Sequence, residues 1–213
     1  SLKSYFLFLV QNKYIEKNPA EKIKKIKVQN AEYGKAFDDK TYRAIRREVY
    51  RTSNPLFIAI WEVLTKTGCR CSELCNLRFN DIEFSERTAR ITFTGKGNKQ
   101  RTLKLHIDAK NAILDYLKIR KKSSPTDYLF LSERKHKFTR SAIWKIINKL
   151  SRRAGYHITV HQCRHYVLRK MLENGIDYDT IAKIAGHSNP LITSRIYTVS
   201  SQEARDKAID TLE

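Results

Sequence analysis

The spacing of apolar residues changes along the chain, and each change marks an element. "LKSYFLFLVQNKYI" at the start is apolar-rich and of helical length. "EKNPAEKIKKIKVQNAEYGKAF" then loses periodicity. Pro19, a lysine run and Gly34 make it a connection between domains, with a boundary between Val28 and Phe37. The expected division is therefore residues 1–30, the end of one domain plus a linker, and residues 31–213, the main domain.

Beyond the linker the helical signals sharpen. "DDKTYRAIRREVY" is amphipathic, with Asp38 or Asp39 as N-cap, and "NPLFIAIWEVLTKTG" has Pro55 in its first turn and Gly68 at its end. "TGCRCSELCNL" reads as a turn into a short helix. "ARITFTGKGNKQRTLKLHI" switches to a period of two. Ile91 and Phe93 alternate with polar residues, then Leu103, Leu105 and Ile107 do so again, around the turn-rich tip "GKGNKQ". That is a β-hairpin with a basic turn. Asp108 is the expected cap of "AKNAILDYLKIRKK". Thr139 or Ser141 caps "AIWKIINKLSRRA", and Thr159 caps "VHQCRHYVLRKMLEN". Gly155 and Gly175 close these last two helices. "YDTIAKIAG", the loop "HSN" and "PLITSRIYT" follow. The tail "SQEARDKAIDTLE" is a final amphipathic helix with Ala204, Ala208 and Leu212 on one stripe. The expected fold class is mainly α with a small antiparallel β-sheet (α+β).

Composition narrows the function. Apolar residues are 41% of the chain, enough for a core. The longest apolar run, "PLFIAIWEVL", is short and carries Glu62, so it reads as a buried helix and not a membrane span. The first residue is not Met and "SLKSYFLFLV" has no signal-peptide cleavage site, so the chain reads as a piece of a longer protein. Lys and Arg number 42 against 22 Asp and Glu, a net charge of +20. Such an excess suits a polyanion, nucleic acid foremost, although plain solubility would also account for it. Cys69, Cys71 and Cys75 form C-x-C-x3-C, with Cys163 apart. Zinc sites favour paired C-x2-C spacings, so reduced packing thiols are expected, as in an intracellular protein.

Four short stretches carry chemistry. In "HQCRHYVLRK", His161, Arg164 and His165 lie at i, i+3 and i+4 and share a helix face, while Cys163, Val167 and Met171 can turn to the core. Arg offers a planar fork for phosphate oxygens, and His exchanges a proton near neutral pH. "TGCRCSEL" puts Arg70 at the mouth of a helix, and "TGKGNKQR" puts Lys96 between two glycines on the hairpin tip. "AGHSNPLITSRIYT" puts His187 after a glycine turn and Tyr197 one short helix later. Each has an ordinary reading as a solvated face, an exposed loop or a core tyrosine. Their joint occurrence in this order is harder to dismiss.

With these stretches running along the chain as "TGCRCSEL", "GKGNKQR", "HQCRH" and "AGHSNPLITSRIY", the region from Phe37 to Val199 resembles the tyrosine recombinase family, the phage integrases and Xer-type recombinases. The opening helix and "NPAEKIK" look like the end of that family's core-binding domain. The resemblance implies the tyrosine recombinase catalytic-domain fold. It also implies a catalytic set of Arg70, Lys96, His161, Arg164 and His187, with Tyr197 as nucleophile. Glu73, three residues after Arg70, matches the family's acidic position, and His165 is a supporting residue. Two departures stand out. "AGH" replaces the commoner "LGH", and the interval from His187 to Tyr197 is one residue longer than in many Xer-type members. No better tyrosine presents itself: Tyr178 precedes the histidine box and Tyr166 lies on another helix.

The implied activity is site-specific cleavage and rejoining of double-stranded DNA through a 3′-phosphotyrosine intermediate, as in DNA integration by a mobile genetic element. No metal, cofactor or ATP is implied. Charge that develops at a pentavalent phosphorus would meet two arginines and a histidine, and a hairpin lysine could protonate the departing 5′ oxygen. The implied partners are DNA and other protomers of a DNA-bound tetramer, joined through the C-terminal helix. The implied setting is the cytoplasm of a prokaryotic or virus-infected cell. Two other readings stay open at this point: DNA relaxation of the type IB topoisomerase kind, and a helical DNA-binding module without catalysis.

Overall fold

The computed structural model describes residues 2–22, 36–120 and 127–186, with the exception of the Lys96 side chain. The chain separates into two units, Ser1–Tyr33 and Gly34–Glu213. In the first, helix α1 (Leu2–Gln11) has no buried residue and leaves Leu2, Tyr5, Leu7 and Phe8 exposed. The Lys3 ammonium donates to the Glu21 carbonyl, and the Asn18 amide donates to that of Lys3, so the stretch after the helix folds back along it.

The second unit is built around one helix that is buried on most sides. α3 (Pro55–Thr67) starts where the Asn54 side chain accepts from the amides of Leu56 and Phe57, and it ends at Gly68, which is left-handed at φ 62°. Ala59, Ile60, Trp61, Val63 and Leu64 are almost fully enclosed. Burying one such side chain contributes roughly 1.5–3 kcal/mol, so this helix anchors the domain. α2 (Asp39–Arg51), capped by Asp38, α5 (Ile107–Ile119) and α7 (Val160–Glu173) pack around it. Glu62 of α3 is fully buried; Arg46 Nε donates to it at 2.8 Å and the Tyr50 hydroxyl at 3.0 Å, which ties α2 to α3. α4 (Cys71–Asn76), α6 (Arg140–Arg153) and α8 (Tyr178–Ala185) complete the helices. Thr139 proves to be the α6 cap, and Thr159 and Gln162 form a reciprocal capping box at the start of α7. α8 rests on α7 through a small cluster of Leu168, Ile181 and Ala185.

The fold is mainly α with a small antiparallel sheet, as expected, but the sheet has three strands. β2 (Ala89–Thr94) and β3 (Gln100–Lys104) form the hairpin, and β1 (Ile82–Phe84) joins its far edge. Three residues are too short a run to show alternation in a sequence. The register aligns Ile82 with Ile91 and Ile91 with Leu103, and sets Phe93 opposite Arg101.

Two boundary expectations fail. α5 begins two residues early: His106 is its N-cap, its Nδ1 accepting from the Asp108 amide. The Asp108 carboxylate turns instead to Arg46 at 3.2 Å and Lys66 at 3.5 Å. Ile107, placed in the alternating strand pattern, is the first residue of α5 and is exposed. Cys69 and Cys163 are buried thiols, both pushed up to about 12 by burial; all four cysteines are free. Among the described residues no helix is long and apolar enough to cross a membrane.

Candidate active site

The end of α3 sets the site. The left-handed turn at Gly68 reverses the chain so that Arg70 becomes the N-cap of α4. A side chain at Gly68 would press on Val167 of α7 at 3.3 Å and would have to take a left-handed φ of 62°, so glycine suits this close approach of the two helices. One turn into α4, Glu73 folds back. Its Oε2 accepts from the Arg70 amide at 2.7 Å, and its Oε1 accepts from the Arg70 guanidinium at 2.9 Å. The Glu73 side chain is 3% exposed and that of Arg70 39%, so Arg70 reaches solvent from an inward anchor.

Arg164 projects from α7 into the same place. Its Nη1 donates to the Gly68 carbonyl at 2.8 Å and its Nη2 to the Ala185 carbonyl at 2.7 Å. Burial, and next the Arg70 charge, bring its pKa down to about 10, which still leaves it cationic at neutral pH. Cys163 and Val167 on the same helix are buried, as the spacing predicted, and Met171 packs at the core's margin.

A third arginine, absent from the expected set, belongs here. Arg101 of β3 grips both oxygens of Glu73 at 2.8 Å and donates through Nε to the Ile184 carbonyl at 2.7 Å. Its sequence signal was its position: it shares the inward face of β3 with Leu103, where a cation is unusual. The last carbonyls of α8 are thus each held by a different arginine, Ile184 by Arg101, Ala185 by Arg164 and Gly186 by Arg70, the last at 2.8 Å. Carbonyls at a helix C-terminus lack intrahelical donors and carry the negative end of the helix dipole, so three cations answer both needs. Gly186 is left-handed at φ 64°, and an added Cβ would stand 3.0 Å from Arg101 and 3.3 Å from Arg70. Glycine is what allows both guanidiniums to close on the helix end.

The histidines lie on one edge of this cluster. His161, in the first turn of α7, is open to solvent, with its ring 4.4 Å from that of His165 and nearly perpendicular to it. Partial burial and the charges of Arg164 and Arg70 hold the His161 pKa below its ordinary value of 6.5. His165 is buried. Lys96 opens the short turn Lys96–Asn98 at the hairpin tip. The residue before it, Gly95, is close enough to the site that an added Cβ would lie 3.7 Å from Glu73 Oε1. His187 and Tyr197 lie outside the described residues, although His187 follows directly on Gly186. Of the two other tyrosines weighed, Tyr166 is stacked between Phe37 and Tyr42 with its hydroxyl on Asp39, and Tyr178 is exposed at the start of α8.

The cluster therefore gathers three guanidiniums around the end of α8, two of them on the one carboxylate of Glu73, and leaves a surplus of positive charge. Among the described residues no group of three or more His, Cys, Asp or Glu side chains is arranged to hold a metal ion.

Comparison with known proteins places this geometry. A tyrosine recombinase XerA of Pyrococcus horikoshii is 33% identical over 213 residues, a match covering 99% of this chain and 70% of the relative. A crystal structure of XerA recombinase superposes with a TM-score of 0.72 at 30% identity, over 84% of this chain and 64% of the other. The chain thus spans somewhat under two thirds of that structure. A lambda integrase dimer bound to a COC′ core site shares the fold, with a TM-score of 0.71 at 18% identity, over 92% of this chain and 56% of the other. The sequence profile of the Phage integrase family matches residues 37–204, most of the chain and all of the site just described, and the chain belongs to that family of tyrosine recombinases.

Proposed function

We propose that this chain cleaves and rejoins double-stranded DNA at specific sites through a 3′-phosphotyrosine intermediate, using Arg70, Arg164, His161, Lys96, His187 and Tyr197. The observation that carries this reading is the arginine cluster itself: Arg70 and Arg164 are fixed by protein carbonyls and a carboxylate before any substrate arrives. Preorganised cations stabilise charge where it develops on the non-bridging oxygens, and no reorganisation is needed at the moment of reaction. Arg70 is the better exposed of the pair and meets the phosphate from solvent. Arg164 supplies a fixed charge behind it.

The phenolic oxygen of Tyr197 attacks phosphorus as the bond to the 5′ oxygen breaks. His161, held neutral near physiological pH, takes the phenol proton. Lys96, at the tip of the hairpin, gives a proton to the departing oxygen. His187 donates to the phosphate. Rejoining reverses these transfers on a new 5′ end, with the bond energy kept in the phosphotyrosine.

The wider setting follows the same reading. Residues 1–30 are the end of a core-binding domain and its linker, consistent with a first unit whose helix leaves its apolar residues exposed. The net charge of +20 serves duplex DNA. Protomers assemble on DNA as a tetramer and exchange the C-terminal helix; the lambda integrase dimer on its core site supports the coarser part of this, more than one protomer on one DNA. The location is the cytoplasm, where DNA is present and four free thiols stay reduced.

The test uses a pool of duplexes with randomised arms and a nick beside the centre, so that cleavage releases a short oligonucleotide and traps the covalent product. Incubation of the full chain with the pool in excess EDTA should leave protein-linked DNA on a denaturing gel, and its sequence should converge on one site. A pool that yields no linked DNA, or yields it only with a divalent ion, contradicts the proposal.

A further inference from the structure

The phosphate chemistry above does not use Arg101. Its side chain is only 12% exposed. Its two Nη atoms are committed to Glu73, its Nε to Ile184, and its face lies over the Phe93 ring with 5.0 Å to the centroid. Phe93 is its cross-strand partner, so the sheet register itself aims the guanidinium. The carboxylate it holds is the one that anchors Arg70.

This one group joins three elements that carry different parts of the proposed reaction. β3 is the return strand of the hairpin that bears Lys96. α4 is the helix that Arg70 caps. α8 is the helix whose end leads straight into His187. We propose that Arg101 is a positioning residue that fixes the hairpin, Arg70 and the end of α8 in one register, so that the phosphate anchor keeps its place relative to the hairpin strand and the helix end. The inference rests on the strand-transfer reading and adds to it a residue that does not touch DNA.

The fork is what the role needs. A guanidinium can meet two carboxylate oxygens and a carbonyl at once in fixed directions, whereas an ammonium is a point charge on a flexible stem. R101K therefore keeps the charge and loses the register. Without the fork, Glu73 falls to Arg70 alone among the described residues, and Arg70 is drawn inward from the phosphate. Misplacement by about 1 Å can slow a reaction roughly 100-fold.

The experiment uses the duplex recovered from the randomised pool, with the full chain as control. R101K should bind that duplex within about threefold of wild type and form the covalent product roughly 10- to 100-fold more slowly. A 5′-sulfur leaving group should not restore it, because alignment and not proton donation is at fault. Amide hydrogen exchange over residues 182–186 should quicken in R101K without DNA, while α3 stays protected. Should R101K fold poorly, E73Q/R101M removes both members of the Glu73–Arg101 pair together; it should fold, and it should remain slow with either leaving group. A wild-type rate in R101K or in the double variant, full rescue by sulfur, or unchanged exchange at the end of α8 overturns the proposal. If wild type forms no covalent product, the strand-transfer reading falls and this inference falls with it. If wild type reacts and R101K matches it, only this inference is lost.

Discussion

Replacing Glu73 with glutamine tests the electrostatics of the site without changing its shape. The carboxylate is 3% exposed and accepts four hydrogen bonds. Oε1 takes Arg70 Nη1 and Arg101 Nη1, while Oε2 takes the Arg70 amide and Arg101 Nη2. Whichever way a glutamine amide is turned, its NH2 group faces two donors. Two bonds become donor–donor contacts and the buried countercharge disappears. Breaking a buried ion pair from one side costs about 3–5 kcal/mol. In a domain of this size the melting temperature falls about 2–4 °C per kcal/mol, so a drop of roughly 6–20 °C is expected.

The pH dependence has a definite sign. Burial alone would raise the Glu73 pKa, but the Arg101 fork and the Arg70 contacts overcome it and hold the group below its ordinary 4.5. A depressed folded-state pKa contributes stability that is complete above the unfolded value and is lost as pH falls toward the folded one. The gap between wild type and E73Q should therefore be full at neutral pH and shrink once pH drops below about 4.5. Urea unfolding at a series of pH values measures it. A loss under about 1 kcal/mol at neutral pH, or a gap that does not change in acid, would refute the claim that Glu73 is the buried countercharge of the arginine cluster.

Three other perturbations follow from the same geometry. Lys96→Ala should slow cleavage of a 5′-oxygen substrate far more than of a 5′-sulfur one, and equal defects in single-turnover assays would remove Lys96 as proton donor. Gly68→Ala should destabilise the domain by roughly 1–2 kcal/mol from the left-handed backbone alone, and more once Val167 is displaced; an unchanged melting temperature would mean that the α3–α7 approach is not limiting. Deleting Ser201–Glu213 should weaken cooperative loading of two protomers on paired half-sites while one protomer still binds a single half-site, as gel-shift titration can show; unchanged cooperativity would mean that the tail does not bridge protomers.

Periodic and capped elements were legible in the sequence. α2, α3, α6 and α7 lie where apolar spacing and caps put them, because Asp38, Asn54, Thr139 and Thr159 use local hydrogen bonds that need no tertiary context. β1 was not legible, since three residues acquire their role only by pairing with β2. The cap of α5 was misread because Asp108 finds Arg46 across the fold, a partner 62 positions away. At the site, the facing of His161, Arg164 and His165 followed from helical spacing. The joining of Arg70 to Arg101 through Glu73 did not, since it depends on where the hairpin lands. Arg101 looked like one more surface cation in a chain with 42 of them. Its phase with Leu103 was the one sequence cue, and the sheet register shows that it points inward, opposite Phe93.

The central claim is tested most directly by locating the DNA attachment. Covalent product formed in EDTA on the recovered duplex is digested with trypsin and nuclease, and the nucleotide-bearing peptide is sequenced by mass spectrometry. The account predicts a 3′-phosphotyrosine at Tyr197, lost in Tyr197→Phe while duplex binding persists. Attachment through any other residue, or product formation by the phenylalanine variant, would contradict it.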